Sequence, residues 1–424
     1  MIIYLLYFFL SPVFWCILQL FRLFNPKINQ HLNHQRRSIY SVIHSLSIQQ
    51  NNREIVIFHA ASSGEFEQLK PILREIDRKK YFLIQTFFSP TVFDKEKNSN
   101  LFDVSCYHPF DFPWSAFLFF LRFKPNYYIL TSHDIWPHHL IFADIFGIKK
   151  ILINANLHEY SNRLKPFSKT VNRWIFSKFD LILTGSDRLK KRLSELVQLT
   201  KIVITGDSRF DQVLQRKSKQ TNIFDNTNLN LSKNIILGSI IPSDFDIIFN
   251  GIHEAYPKGD ESLEDKKHKI IIIPHEIDTK TMSSIIKYLG ELGIHFTRFT
   301  DLNEKSTENV ILVNKVGILA DIYAYGDIAY VGAGFGAGVH SVIEPAVHQC
   351  AISYGPNIHI LDEAISMKEE HIGTIIRSKS DFVDFLKLLD NDLKMKNIQQ
   401  RSYDFVIQNQ GASKNIIDTI FDEK

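Results

Sequence analysis

The sequence predicts two α/β domains, each a doubly wound parallel sheet, preceded by an apolar helix. Three observations predict it. The chain has 424 residues, too many for one ordinary core at about 100–200 residues per domain. Short apolar runs alternate with amphipathic stretches from residue 54 onward, the rhythm of βαβ units. Residues 216–233 (RKSKQTNIFDNTNLNLSK) are polar and aperiodic and divide that rhythm in two, as a linker does.

Composition narrows the class. Hydrophobic residues make up 45% and charged residues 22%, which excludes a disordered chain, a collagen-like repeat and a polytopic membrane protein. Lys plus Arg number 49 against 46 Asp plus Glu, a net charge of +3; that is too near neutral for a dedicated nucleic-acid binder. Cys16, Cys106 and Cys350 are far apart and odd in number, so neither a disulfide framework nor a zinc cluster is expected, and a reducing compartment is.

The first element is MIIYLLYFFLSPVFWCILQLF (1–21), with no charge before Arg22. About 20 apolar residues can span a bilayer as a helix, although Ser11 and Pro12 interrupt the run. Positive charges follow it (Arg22, Lys27, Arg36, Arg37), which is the reverse of a signal peptide and puts the rest of the chain on the cytoplasmic side. A membrane anchor over residues 1–24 is expected. Next come the first domain (38–215), the linker (216–233) and the second domain (234–424), which ends in helices. Strands are expected at 55–58, 82–87, 127–130, 151–154, 181–184 and 202–205. In the second domain they are expected at 235–238, 270–273, 295–299, 311–314, 328–331 and 351–355. These runs are apolar throughout, as parallel strands covered on both faces are. A further apolar stretch, FPWSAFLFFLRFKP (112–125), fits equally an interfacial helix and a buried one.

Ligands in such sheets bind at the strand-to-helix turns beyond the carboxyl ends. Three turns stand out. HAASSGEFEQ (59–68) bends at Gly64 and opens a helix with Glu65, where the helix dipole favours an ionised carboxylate that can act as a base. TSHDIWPHHL (131–140) contains Ser132, His133 and Asp134, but a catalytic triad is assembled in space, not from neighbours. His138 and His139, adjacent on a helix, are expected to point apart and to share no metal. VGAGFGAGVHSVIEPAVH (331–348) crowds four glycines before a helix carrying Glu344, and the amides there are expected to form an anion site. Its spacing is not the dinucleotide fingerprint G-x-G-x-x-G, which argues against hydride transfer. GSIIPSD (238–244), His275 in IIPHEID (272–278) and Lys315 stand at neighbouring turns. No Asp-x-Asp metal motif is read at a nucleotide-binding turn.

At these motifs the sequence resembles the 3-deoxy-D-manno-octulosonic acid (Kdo) transferases of lipopolysaccharide synthesis. The residues that carry it are AASSGEFEQ, IWP (135–137), NANL (154–157), TGDSRFD (205–211), GS (238–239), PHE (274–276), YVGAGFGAGVHSVIEPA (330–346) and GP (355–356). The resemblance implies a GT-B fold, two facing Rossmann-like domains with a cleft between them. It implies transfer of Kdo from CMP-Kdo to a sugar hydroxyl of a lipid A precursor (lipid IVA). The reaction is inverting, needs neither metal nor cofactor, and takes place at the cytoplasmic face of the inner membrane, with membrane lipid as a partner and no nucleic acid. It places the general base at Glu65 and nucleotide contacts at Gly238, Ser239, Gly334, Gly336, Gly338, His340 and Glu344. His275, Lys315 and Ser341 join these as donor-site candidates. Ser63, Gly64, Asp134, Arg163 and Arg209 are candidates for the acceptor or the Kdo carboxylate. This chain has Ser132 and Asp134 where the family usually carries two glutamates. The alternatives are a GT-B transferase with another nucleotide-sugar donor, and an inactive membrane-bound homologue.

Overall fold

The computed structural model describes residues 2–48, 52–219, 222–224, 228–303 and 306–422. The chain forms two compact units, one of residues 1–212 with 410–424 and the other of residues 213–409.

The first unit opens with two helices, α1 (Ile2–Phe24) and α2 (Pro26–Ile48). Pro12 lies inside α1 without ending it, and the Ser11 hydroxyl donates to the Tyr7 carbonyl one turn back. Helix α1 is the one described helix long and apolar enough to cross a membrane, and Leu6, Phe9, Leu20 and Leu23 along it are exposed. Residue 38, expected to start the first domain, falls inside α2. That helix packs on the sheet through Val42, and both ring nitrogens of the buried His31 meet backbone carbonyls, those of Phe88 and His108.

Seven strands follow: β1 (Glu54–Ala60), β2 (Tyr81–Phe87), β3 (Val104–Tyr107), β4 (Tyr127–Thr131), β5 (Lys149–Ala155), β6 (Leu181–Thr184) and β7 (Ile202–Ile204). They pair in parallel in the order β3-β2-β1-β4-β5-β6-β7. Successive residues of β1 explain the unbroken apolar runs. Val56 and Phe58 face the core shared with helix α3 (Ser63–Glu75). Ile57 faces the opposite core, with Phe119, Phe120 and Leu140 from helices Pro113–Phe123 and Pro137–Ile145. Both faces are covered, so no polar alternation is required. Strand β3 escaped sequence reading because it is four residues long, lies at the sheet edge and contains Ser105.

Helix Pro113–Phe123 has one buried and one exposed apolar side. Ala116, Phe119, Phe120 and Phe123 are buried, while Trp114, Phe117, Leu118 and Leu121 on the other side are exposed.

The second unit repeats the architecture with β8 (Lys233–Ile240), β9 (His268–Pro274), β10 (Phe296–Arg298), β11 (Val310–Leu312), β12 (Ile328–Val331), β13 (Ala351–Tyr354) and β14 (Gly373–Ile375). Their order is β10-β11-β9-β8-β12-β13-β14, all parallel. Strand β14, three half-buried residues at the edge, carries too little apolar signal to be read from sequence.

Two expected boundaries shift. The linker was to start at 216, but helix Ser208–Ser218 runs through that position. Phe224 within the polar stretch is buried, with its ring 5.5 Å from Phe299 and 4.8 Å from Tyr325. Residues 220–221 and 225–227 of the linker lie outside the described residues. The last helix, Ala412–Phe421, was expected in the second domain. It belongs to the first unit, because Ile416 and Ile420 complete the core under α3.

Candidate functional site

In each sheet the strand order reverses beside the first strand, between β1 and β4 and between β8 and β12. These are the switch points at which doubly wound sheets bind ligands. Glu65, Asp134 and the glycines at 334–338 follow the strands that flank them, and Gly238 and Ser239 close one of those strands, whereas Arg209 follows β7, His275 follows β9 and Lys315 follows β11.

In the first unit, Ser62 caps α3. Its hydroxyl accepts from the Glu65 amide, and the Glu65 side chain reaches back, so the two form a capping box. Glu65 Oε2 accepts from the Ala61 amide at 2.7 Å and the Ser62 amide at 3.2 Å. Its Oε1 accepts no hydrogen bond among the described residues. One carboxylate oxygen is therefore fixed by the backbone and the other is not. Burial raises the Glu65 pKa and the charge of Asp134 adds to the rise, against the opposing pull of His59 and the two amides. Ser63 and Gly64 lie exposed in the same helical turn.

Asp134, at the end of β4, is the neighbour that matters. Its Oδ2 accepts from the Trp136 indole at 2.9 Å and meets His59 Nε2 at 2.7 Å. Burial pushes its pKa up, but the hydrogen bonds from His59 and Trp136 and the charges of His59 and Arg163 outweigh that and hold it below the usual carboxylate value. His59 is fully buried, and its Nδ1 lies 2.8 Å from Thr86 Oγ1. The Thr86 hydroxyl donates to the Phe58 carbonyl, so Nδ1–H must donate to Oγ1. A single proton is then left between Nε2 and Asp134. Sequence reading passed over His59; its only signal is a histidine closing an otherwise apolar strand.

Arg163 joins this group. Its Nη2 donates to the His133 carbonyl at 2.5 Å, and burial together with the nearby Asp134 sets its electrostatics, with a net lowering. Arg209 is taken up by Asp207, at 2.7 and 2.9 Å. The motifs NANL and TGDSRFD meet α3 through one chain of bonds. Asn154 Nδ2 donates to Ser208 Oγ at 2.8 Å, and that hydroxyl donates to the Gln68 carbonyl at 2.7 Å. Ser132 and Asn154 both hold positive φ, 62° and 49°, a backbone state that clusters at functional sites.

Ser132, His133 and Asp134 form no triad: Ser132 bonds Gln68, and Asp134 takes the proton shared with His59. The expectation that His138 and His139 point apart is corrected. Both Nδ1 atoms reach one buried carboxylate, Asp111, at 3.2 and 2.9 Å, and Asp111 also accepts both of their amides. It serves as the anionic cap of helix Pro137–Ile145 from a distant loop. Among the described residues, no group of three or more His, Cys, Asp or Glu side chains is placed to hold a metal ion.

In the second unit, Gly238 and Ser239 close β8. A Cβ on Gly238 would strike the Tyr323 hydroxyl. Ser239 has φ 55° and its Oγ lies 2.9 Å from His275 Nδ1. The His275 and His340 rings stack at 4.5 Å. His340 Nε2 is buried without a hydrogen-bond partner among the described residues, and burial, then His275, lowers its pKa. Ser341 and Glu344 follow, half-buried, and Lys315 stands exposed after β11.

The glycine loop departs from expectation in one respect. Its amides are mostly spent. The Ala333 amide donates to Asp244 Oδ2 at 2.8 Å, those of Gly336 and Gly338 to the Ala333 carbonyl, and that of Val339 to the Asn357 carbonyl. The following helix, Ile343–Val347, spans only five residues. The buried carboxylate of Asp244 thus sits where an anion was expected, and also accepts from the Ile241 amide and the Tyr330 hydroxyl. Close packing explains the glycines: a Cβ on Gly334 would lie 2.5 Å from the Gly355 backbone, and one on Gly336 would lie 2.7 Å from Ile241. Asp244-Phe-Asp246 is also an Asp-x-Asp spacing after β8 that the sequence reading missed. The structure separates its carboxylates, Asp244 to the loop and Asp246 to the Tyr288 hydroxyl.

Comparison with known proteins agrees with the motifs. Residues 33–212 match the family model of 3-deoxy-D-manno-octulosonic-acid transferase (kdotransferase). The chain is 27% identical over 348 residues to the 3-deoxy-D-manno-octulosonic acid transferase of Aquifex aeolicus, covering 81% of this chain and 88% of that protein. It is 25% identical over 374 residues to that of Chlamydia trachomatis serovar A, covering 84% and 83%. Among solved structures, UDP-GlcNAc 2-epimerase from Neisseria meningitidis bound to UDP-GlcNAc shares the fold, with a TM-score of 0.63 at 16% identity over 88% of this chain and 100% of that one. The chain is thus similar to 3-deoxy-D-manno-octulosonic acid transferases, through the domain matched at residues 33–212 and through relatives along most of its length, and its two seven-stranded parallel sheets agree with a GT-B-like fold.

Proposed function

We propose that the protein transfers Kdo from CMP-Kdo to a sugar hydroxyl of a lipid A precursor, lipid IVA, at the cytoplasmic face of the inner membrane, with Glu65 as general base. The observation that carries this reading is the state of Glu65, with Oε2 held by two amides and Oε1 uncommitted. A carboxylate fixed in place and raised in pKa is a stronger base while still ionised near neutral pH.

In the reaction the acceptor oxygen attacks the anomeric carbon of Kdo as its proton passes to Glu65 Oε1. The bond from that carbon to the phosphate oxygen breaks on the opposite side, so configuration inverts and CMP departs as a phosphate monoester. No metal takes part in the step as proposed. General base catalysis of this kind contributes roughly 10²–10⁴-fold. The first unit supplies the base and the acceptor site. Arg163 is its candidate contact for an anionic group, and Arg209 is a weaker one because Asp207 already neutralises it. The second unit supplies the donor site. Ser239, His275 and the unpartnered His340 Nε2 are its polar contacts for CMP, Glu344 the ribose acceptor, and Lys315 an exposed cation for the phosphate. The glycines at 238, 334, 336 and 338 let the backbone approach itself and, on this reading, the nucleotide. Helix α1 anchors the enzyme beside its lipid acceptor.

The test is direct. Membranes containing the protein are given CMP-Kdo and tetraacylated lipid A precursor, and the lipid products are weighed by mass spectrometry, which also counts the Kdo units. Absence of any Kdo-bearing lipid sinks the assignment. Glu65→Ala is expected to abolish transfer while CMP still binds, and continued turnover would remove Glu65 from its role.

A further inference from the structure

A groove of about 330 Å³ lies on the first unit between α1, α2 and helix Pro113–Phe123. Its volume is at the low end of the range for small-ligand clefts, roughly 300–1,000 Å³. It thus has room for one apolar chain but little more. The floor is aromatic and aliphatic. The Phe112 and Trp114 rings stack at 5.1 Å, Trp15 of α1 meets both edge-on at 5.4 and 6.2 Å, and Leu118 extends the apolar wall. Both α1 and helix Pro113–Phe123 also expose apolar side chains outside the groove, Phe117 and Leu121 among them.

Its mouth has the opposite character. Arg36 and Arg122 come from different helices and both lie over the ring of Tyr40, at 5.5 and 5.8 Å. Both are exposed, and among the described residues no carboxylate pairs with either. Like charges brought to one ring without a counterion repel each other unless an anion joins them. The Tyr40 phenol registers the same field: the hydrogen bond from Arg36, then the charges of Arg36 and Arg122, push its pKa down. An apolar floor calls for a hydrocarbon, and a doubly cationic mouth calls for an anion such as phosphate, which arginine binds with its planar fork.

We propose that this groove seats one anionic phospholipid of the bilayer, with an acyl chain along Trp15, Trp114 and Leu118 and the phosphate between Arg36 and Arg122. The proposal rests on the membrane location given above and not on the transfer reaction, so it stands or falls separately. It makes the body of the first unit, and not α1 alone, a lipid-reading surface. The charge complementarity favours a phospholipid over a protein partner, and the single-chain volume favours it over the multiply acylated acceptor.

The groove carries its own reporters, since two of the four tryptophans, Trp15 and Trp114, line it. Full-length protein in nonionic micelles would be titrated with phosphatidylglycerol or phosphatidylcholine carrying brominated chains, and tryptophan fluorescence followed. Phosphatidylglycerol is expected to quench at the lower mole fraction, by about fivefold for each arginine engaged. R36Q/R122Q is expected to erase that preference while quenching by phosphatidylcholine and the circular dichroism stay unchanged. Equal quenching by the two lipids would overturn the proposal, as would a preference that survives R36Q/R122Q. So would relief of the quenching by tetraacylated lipid A precursor at a mole fraction where unbrominated phosphatidylglycerol gives none, which would assign the groove to the acceptor.

Discussion

The most consequential single residue outside the proposed base is one that touches no expected ligand. His59 lies buried with its Nδ1 proton given to Thr86, and it shares one further proton with Asp134. Around it stand His108, with its ring centroid at 4.1 Å, the indole of Trp136, and the charges of Asp134 and Glu65. His108 is itself pushed well down by burial and then by the neighbouring histidines. The sign of the His59 effect on Glu65 follows. Burial and Asp134 raise the Glu65 pKa, and His59 opposes them. As the proposed base Glu65 must be ionised, so transfer is expected to be lost as pH falls through that raised value. His59→Gln leaves the Asp134 charge beside Glu65 without its partner, and the acid limb of kcat/KM is expected to move to higher pH. A pH–rate profile with membranes as the enzyme source measures it; an acid limb that stays in place would uncouple His59 from the base.

At the scale of elements, the glycine loop shows what a sequence reveals and what it hides. The loop, its position after β12 and its place beside Gly238 and Ser239 are legible, because four glycines after an apolar strand leave few other readings. The partner that orders it is not. Asp244 lies 89 residues before the Ala333 amide that it accepts, and in the sequence it looks like an ordinary acid in the first turn of helix Pro242–Ala255. The same contrast holds in the first unit. Glu65 stands out by its turn, but the His59–Asp134 bond joins residues 75 apart and has no local signature. Long apolar strands were readable for the complementary reason: burial on both faces writes itself into consecutive residues, whereas the short edge strands β3 and β14 bury too little to do so. Asp244→Ala would leave the Ile241 and Ala333 amides and the Tyr330 hydroxyl without their acceptor. Each buried donor left unpaired costs about 1–3 kcal/mol, so the second unit is expected to lose on the order of 3 kcal/mol or more. Amide hydrogen exchange across residues 332–340 should accelerate, and unchanged protection there would show that the carboxylate is dispensable to the loop.

At the scale of the whole molecule, chain order and structural unit part company. The last helix follows directly on Asp392–Gln408 of the second unit, yet its apolar face belongs to the first. Ile416 and Ile420 are buried against the residues that pack under α3, and the Phe421 ring lies 4.4 Å from Tyr81 and 5.2 Å from Tyr127. Asp211, in the helix that carries the chain out of the first unit, accepts from the Gly411 amide at 2.6 Å and the Ser413 amide at 2.7 Å, fixing the returning segment. Full burial of an isoleucine side chain stabilises by roughly 1.5–3 kcal/mol, so the two isoleucines together contribute several kcal/mol, a large share of a typical domain's net stability of about 5–15 kcal/mol. A chain ended after residue 409 is therefore expected to weaken the distant first unit and to spare the unit to which its new end belongs. Exchange or limited proteolysis should then open β1, β2 and α3, the elements that position Glu65, while residues 233–409 keep their protection. Loss of protection in the second unit alone would mean that the C-terminal helix stabilises its sequence neighbours after all. The same dependence predicts that residues 1–212 expressed alone fold poorly, and that supplying residues 410–424 as a separate peptide restores protection to β1 and α3.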